Sequence, residues 1–167
     1  MSESWFMPYI KRLTRDEWPL LRDIRLAALS DSPEAFLHTY DEEAAFGEMA
    51  WLAEFDRGDW NIGMEGDEPV GLLGCTRDRD VPAHQRYLEY LWVYPEWRNK
   101  GLALFMITAV LKTLRTSGVK TTFLWVLDGN HAAVRLYKRV GFVSSNHRQA
   151  LEKRPGRSEE RMHLDLE

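Results

Sequence analysis

The sequence has almost no cysteine, no long apolar run and no excess of positive charge. Its single cysteine, Cys75, excludes an intramolecular disulfide and indicates a reducing compartment. No stretch approaches the ~18 consecutive apolar residues of a membrane span, and the opening MSESWFMPYIKR lacks the basic-then-apolar order of a signal peptide. The net charge of −4 disfavours a nucleic-acid partner, which would require a basic face. We therefore expect a cytoplasmic protein that binds neither membranes nor nucleic acids.

The length and composition fit one folded domain. The chain has 167 residues, of which 44% are hydrophobic and 29% charged, and this is enough to bury a substantial core. We expect a single domain over residues 1–167. The five histidines do not pair at metal-ligand spacing, so the sequence predicts no metal site. They are His38, His84, His131, His147 and His163.

Apolar periodicity predicts an α/β (α+β) protein with the element order β-α-α-β-β-β-α-β-α-β-β. Hairpins make part of the sheet antiparallel, and one strand-helix-strand unit makes part of it parallel. The predicted strands lie near residues 6–13, 59–64, 69–75, 87–93, 121–127, 142–147 and 161–166, and the predicted helices near 16–29, 41–55, 102–111 and 131–140.

Capping residues indicate where several of these helices begin and end. Thr14 and Glu17 have capping-box spacing before the first helix. Asn130 is a suitable N-cap for the last helix, and Gly141 a suitable stop. Residues 158–160 are predicted to precede the last strand. The second helix is predicted to carry four apolar residues on one face: Ala45, Met49, Leu52 and Phe55.

The most informative stretch, residues 87–103, is a strand that runs through a short basic turn into an apolar helix. The first turn of such a helix has unpaired backbone N–H groups and a positive dipole end, which together suit a pyrophosphate. Gly101 allows the backbone to approach a ligand closely, and Arg98 and Lys100 add positive charge. The spacing is neither that of a P-loop nor that of a Rossmann fingerprint. Taken alone, the stretch also fits a basic surface loop that caps a helix.

Two motifs resemble those of the GNAT acetyltransferase superfamily. Arg98-x-x-Gly101-x-Ala103 is similar to the family's Arg/Gln-x-x-Gly-x-Gly/Ala loop, which holds the CoA pyrophosphate through backbone amides. Residues 130–142, NHAAVRLYKRVGF, resemble the family's second signature of Asn-x-x-Ala, Tyr and Gly-Phe. The resemblance covers most of the chain. It implies the GNAT fold, a mixed and mostly antiparallel central sheet flanked by about four helices, with acetyl-CoA as the co-substrate.

The same resemblance implies which residues contact CoA. They lie at the end of the preceding strand, in the basic turn and on the last helix. Asn99 and Ala103 stand where many relatives have glycine; asparagine tolerates a left-handed backbone and alanine is small, so we expect the loop to keep its form. The implied contacts are Leu91, Trp92, Val93, Arg98, Asn99, Lys100, Gly101, Leu102, Ala103, Asn130 and Tyr137.

Glu89 is the candidate general base. An amine with a pKa of about 10.4 is protonated at neutral pH, so it must lose a proton before it can attack. The setting of Glu89 resembles the Leu/Ile-Glu-Asp stretch that supplies a base-like glutamate in some family members, although Tyr90 stands here in place of the aspartate. The alternative is a glutamate on a solvated strand face.

Tyr137 and Val93 are the other candidates for chemical roles. Tyr137 matches the family's tyrosine before Gly-Phe and is the candidate acid, or hydrogen-bond donor, for the departing thiolate; the alternative is an aromatic packing residue. The backbone N–H of Val93 is the candidate donor to the oxyanion, a role that any non-proline residue would fill.

The acceptor side is implied by the family to lie around the first two helices and the connection near residues 30–40. Phe36, Tyr40 and Trp60 are candidates to shape its pocket, and core packing explains them equally well. We predict direct transfer of acetyl from acetyl-CoA to a primary amine of a small molecule or a peptide. The alternative is a catalytically silent acyl-CoA-binding module. The sequence leaves the oligomeric state open, a homodimer included.

Overall fold

A computed structural model describes residues 6–167, which contain seven strands and five α-helices. Short 3₁₀ turns cover Arg15–Glu17, Pro33–Ala35 and Pro95–Trp97. The strands are β1 Tyr9–Arg12, β2 Gly58–Glu65, β3 Glu68–Thr76, β4 Gln85–Val93, β5 Thr121–Leu127, β6 Val143–Ala150 and β7 Ser158–Asp165. The helices are α1 Trp18–Asp31, α2 Tyr40–Ala44, α3 Glu48–Phe55, α4 Leu102–Thr116 and α5 His131–Val140.

The strands form one sheet in the order β1-β2-β3-β4-β5-β7-β6. Every neighbouring pair is antiparallel except β4 and β5, which are parallel because α4 carries the chain back across the sheet. The predicted fold class, a mixed and mostly antiparallel sheet with flanking helices, is confirmed.

The second predicted helix is wrong in two respects. Residues 41–55 form two helices, because α2 ends at Ala44 and a new helix, α3, begins after the extended Gly47. This restart changes which residues share a face: Met49 is 81% exposed, whereas Trp51 and Phe55 are buried. The break adds a fifth helix to the four expected. Residues 158–160, predicted to precede the last strand, belong to β7 and pair with the end of β5.

Each face of the sheet carries its own hydrophobic core. On one face, α4 packs through Met106 and Ile107 onto Leu124 of β5 and its neighbours. On the other, α1 packs through Leu21 and Ile24 onto β2, β3 and the end of β4. The sheet is therefore the middle layer of three, with α4 and α5 on one side and the first helices on the other.

The two parallel strands separate before they end. β4 pairs with β5 only through residues 85–87. Beyond that point the pairing of β4 with β3 shifts register between Leu72 and Gly74, and Tyr90 adopts a left-handed conformation with φ 57°. The second half of β4 thus departs from β5 and leaves a gap between them.

Candidate active site

A cavity of about 370 Å³ opens at this gap, and it brings several of the predicted residues together. Glu89 and Leu91 line it from β4, and Asn130 and Tyr137 line it from α5. Phe36 lines it from the connection between α1 and α2. The candidate base, the candidate acid and part of the expected acceptor wall therefore face one space.

Glu89 stands half-buried in the cavity wall, with its side chain 29% exposed. Its Oε1 lies 3.2 Å from Nη1 of Arg57 without hydrogen-bond geometry, and no other donor among residues 6–167 reaches that oxygen. Burial raises the pKa of Glu89, and the Arg57 and Arg25 cations oppose that rise. A carboxylate with a raised pKa is a stronger base than an exposed one.

Tyr137 packs edge-on against Phe142, with ring centroids 6.0 Å apart. Burial raises the pKa of Tyr137 to about 12. A thiol has a pKa of about 8.5, so full proton transfer from this phenol to a thiolate is uphill by about 3.5 units, or roughly 5 kcal/mol. The phenol is therefore suited to donate a hydrogen bond rather than to give up its proton.

Asn130 is the N-cap of α5, as its sequence position predicts. Its side-chain oxygen accepts a hydrogen bond from the backbone N–H of Ala133 at 3.2 Å. The same side chain lines the cavity. Capping and contact with a bound molecule are therefore compatible at this residue.

The turn between β4 and α4 presents backbone amides in the way an anion requires. Asn99 and Gly101 both have positive φ, 62° and 75°, so Asn99 adopts the left-handed form expected of it. The amides of residues 99–101 have no acceptor within residues 6–167, and the 15-residue α4 adds its unpaired first turn and its dipole. A Cβ on Gly101 would meet nothing within 4 Å, so the conformation rather than the space favours glycine there.

The two basic side chains of this turn contact other parts of the protein. Arg98 donates from Nε to the Val93 carbonyl at 3.0 Å and from Nη2 to Asp31, so it braces the turn from behind. Lys100 lies over the Trp97 ring, with Nζ 4.7 Å from its centroid. The positive charge that Arg98 adds to the turn is paired with the Asp31 carboxylate.

The end of β4 directs the Val93 N–H toward the gap. Tyr94 donates its N–H to the Val70 carbonyl at 3.0 Å, and Val93 stands opposite Gly71. Antiparallel pairs alternate, so the polar groups of Val93 face away from β3. Trp92 turns the other way: its side chain is buried, and its Nε1 donates to Asp31 at 3.0 Å. Leu102 is also buried, and only its backbone faces the turn.

Of the three residues predicted for the acceptor pocket, the cavity contains one. Phe36 stacks on Tyr90 with ring centroids 5.6 Å apart. Tyr40 is 46% exposed and lines a separate shallow pocket beside Arg154. Trp60 is fully buried and donates its Nε1 to a backbone carbonyl of α3, so its assignment to the pocket wall is wrong. The Trp60 ring packs against the Tyr90 ring, with 5.7 Å between the two ring centroids.

Arg57, Trp125 and Glu159 are among the residues of the cavity wall that were not predicted. Trp125 alternates along β5 with the core residues Leu124 and Val126, so it faces the side opposite to α4. The apolar run of β5 conceals this alternation, because a continuous apolar run is typical of a strand that is buried on both faces. Arg57 and Glu159 are single charged residues without a local pattern, and no sequence signal marks them.

Two other kinds of feature are absent from the described part of the chain. No group of three or more His, Cys, Asp or Glu side chains is placed to hold a metal ion among residues 6–167. No helix within the same residues has the length and apolarity needed to cross a membrane.

Known proteins resemble the chain in fold and sequence. It is 29% identical to YdgE, an uncharacterized N-acetyltransferase of Bacillus subtilis, over an aligned stretch of 87 residues. That stretch covers 52% of this chain and 55% of YdgE. The chain spans about half the length of the curated relatives it matches first, 55% and 42%.

Two solved structures share the fold at low identity. The ribosomal-protein-S18-alanine N-acetyltransferase of Escherichia coli aligns with a TM-score of 0.72 at 18% identity, over 96% of this chain and 94% of that one. The acetyltransferase yncA of Salmonella typhimurium, solved with its cofactor acetyl-CoA, aligns with a TM-score of 0.76 at 15% identity, over 96% and 95%.

The profile of the acetyltransferase (GNAT) family matches residues 11–142, well over half of the chain. This range includes the divided strands and the helix of Tyr137, which line the cavity, and the amide-lined turn that follows β4. The chain belongs to the GNAT acetyltransferase family.

Proposed function

We propose that this protein transfers the acetyl group of acetyl-CoA to a primary amine of a small molecule or peptide, by direct attack with both substrates bound. The observation that carries the proposal is that Glu89 and Tyr137 line one cavity where β4 and β5 separate. Acetyl-CoA supplies an acyl group activated as a thioester. The sole cysteine is buried, and burial raises its pKa to about 12, which disfavours a covalent acetyl-enzyme.

The turn of residues 98–103 fits the diphosphate of CoA. Its free amides and the start of α4 supply hydrogen-bond donors and a positive dipole end. Gly101 leaves open space on the ligand side. Arg98 holds the turn to β4 and α1, so the amides are arranged before any ligand arrives. Such preorganisation lowers the ordering cost of binding.

The remaining groups divide the chemistry among them. Glu89 removes a proton from the ammonium group of the acceptor, directly or through a water molecule. The Val93 N–H is directed toward the gap, where it is available to the carbonyl oxygen as that atom gains negative charge; one such donor contributes about 3 kcal/mol. Tyr137 donates a hydrogen bond to the departing sulfur, and its high pKa keeps the proton on the phenol.

The test is a thiol-release assay with acetyl-CoA against a broad amine panel, followed by the mass of the product. Glu89→Gln should slow turnover by about 100-fold or more, and Tyr137→Phe by less, because only a hydrogen bond is lost. Both variants should bind CoA with near wild-type affinity in calorimetry. Glu152→Gln, at an exposed glutamate that does not line the cavity, is the matched control.

Three outcomes would count against the proposal in different ways. Wild-type rates in both variants would remove the two assigned roles. A blank across the panel with intact CoA binding would favour the silent acyl-CoA-binding module. No CoA uptake at millimolar ligand would remove the transferase assignment itself.

A further inference from the structure

A chain of charged contacts joins both Glu89 and its neighbour Tyr90 to the helices behind them. Arg25 on α1 donates to the Tyr90 hydroxyl at 2.8 Å and to Glu54 on α3 at 2.9 Å. Glu54 also accepts from Arg57 at 3.2 Å, and Arg57 lies 3.2 Å from Glu89. Because Glu89 and Tyr90 are consecutive, the contacts close on themselves. We call these five residues the charge ring.

Arg25 is the fixed point of the charge ring. Its side chain is 0% exposed, and its guanidinium lies 4.1 Å from the Tyr90 ring centroid and 5.3 Å from those of Trp51 and Trp60. Glu43 on α2 forms a second buried ion pair with it. A buried cation with two carboxylates and three aromatic faces has little freedom to move, so it holds its partners in a single arrangement.

Core packing alone does not explain these charges. Replacing a buried ion pair by apolar side chains of similar volume is often neutral or stabilising, so a charge network in a core requires another reason. The network here ends on a strained residue: Tyr90 has φ 57°, a left-handed conformation that residues other than glycine rarely adopt. This turn of the backbone lies immediately after Glu89. The position of the ring therefore coincides with the position of the candidate base.

We infer that Arg57, and Arg25 behind it, are positioning residues that hold the Glu89 carboxylate in the cavity wall and keep a positive charge beside it. The inference rests on the proposed function, since it concerns the base of that reaction. Arg57 provides the opposite charge, Glu54 aims Arg57, and Arg25 fixes both Glu54 and Tyr90.

The charges around Glu89 give the direction of the effect. Arg57 and Arg25 lower the pKa of its carboxyl, whereas Glu54, Asp78 and burial raise it, with burial the largest influence. Removing the Arg57 cation should therefore raise that pKa further. A base works only when deprotonated, so the fall in rate toward low pH should then begin at a higher pH.

The test compares Arg57→Met with the wild-type enzyme in two measurements. The acid limb of the kcat/KM profile should move up by about one pH unit or more. Titration of the Glu89 carboxyl by carbon-13 NMR, assigned with Glu89→Gln, should move by the same amount in the free protein. Arg57→Lys keeps the cation and should restore most of the wild-type profile, and Arg57→Gln serves if the Met variant does not fold.

Arg15→Met is the control, because it breaks an exposed ion pair between Arg15 and Asp56, the residue that precedes Arg57 in the chain. It should leave both the limb and the titration unchanged. If the neutral Arg57 variants lower the melting temperature but shift neither curve, the ring is only structural and the inference is overturned. If no amine is acetylated, the proposed function fails, while the NMR titration still decides whether the ring controls Glu89.

Discussion

Asp31→Asn should loosen the turn that we assign to the CoA diphosphate, although residue 31 lies on α1. The Asp31 carboxylate accepts hydrogen bonds from Ser32, from Trp92 on β4 at 3.0 Å and from Arg98 in the turn. An acidic residue at the C-terminal end of a helix is unfavourable against the helix dipole. The ion pair with Arg98 offsets that cost, so the position is explained by the contact it makes.

The size of the effect follows from the titration of Asp31. Hydrogen bonds from Ser32, Arg98 and Trp92 lower its pKa from 3.8 to about 2. A shift of this size corresponds to about 2.4 kcal/mol, and the side chain is 26% exposed, so solvent screening reduces the contribution to about 1 kcal/mol. The folded state has the lower pKa, so this stability is present above pH 4 and is lost as the pH falls from about 4 to about 2.

Two measurements on Asp31→Asn check this reasoning. At pH 7 the free energy of unfolding of the variant should be about 1 kcal/mol lower than that of the wild-type protein. The two free energies should become equal as the pH falls to about 2. Its Kd for CoA in calorimetry should rise about fivefold, the equivalent of 1 kcal/mol. The control is Asp23→Asn, which changes the same charge on the same helix at an exposed site whose ion pair is with its neighbour Arg22.

The result that would refute the argument is specific. If Asp31→Asn and Asp23→Asn bind CoA equally well, and the stability of the Asp31 variant runs parallel to the wild-type curve between pH 4 and pH 2, the ion pair to Arg98 does not organise the turn.

Two further predictions concern the turn and the acceptor side. Gly101→Ala should weaken CoA binding about fivefold or more, because alanine disfavours φ 75° by about 1 kcal/mol or more; equal affinity in calorimetry would contradict the assigned role of this backbone. Arg154→Ala should increase amide hydrogen exchange in residues 33–38 without changing the Kd for CoA, because Arg154 donates to the carbonyls of Pro33 at 2.7 Å and Glu34 at 3.2 Å and to that of Phe36. The control is Arg157→Ala, which removes a 3.6 Å ion pair to Glu34 in the same segment. Unchanged exchange in both variants would show that the segment does not depend on Arg154 for its order.

Features fixed by neighbouring residues could be predicted from the sequence. At the predicted capping box the Thr14 N–H donates to the Glu17 carboxylate at 2.9 Å, Asn130 caps α5, and Gly141 ends that helix at φ 118°. These signals work because the groups concerned are three or four residues apart. The left-handed Asn99 was accessible for the same reason, since the conformation is a property of the residue itself.

Features that depend on distant contacts could not be predicted. β4 separates from β5 because the second half of β4 forms no hydrogen bonds to it, and the two strands are far apart in the sequence. No residue pattern within either strand indicates this separation. Trp60 and Arg57 lie three residues apart, yet one is core and the other lines the cavity. Met49 has the helical spacing of a buried residue but is exposed, because the break at Gly47 changes which face of the helix it lies on.

The two cores lie on opposite faces of the sheet, so substitutions in one core need not disturb the packing of the other. Substitutions in the segment around Phe36 would reshape the cavity wall that we propose meets the amine, while α4, α5 and the amide-lined turn keep their own packing. Under the proposed function, changes on one layer alone would therefore suffice to alter the acceptor. The Asp31–Arg98 pair sets a limit to that freedom, because it ties the layer that is free to vary to the one that is not.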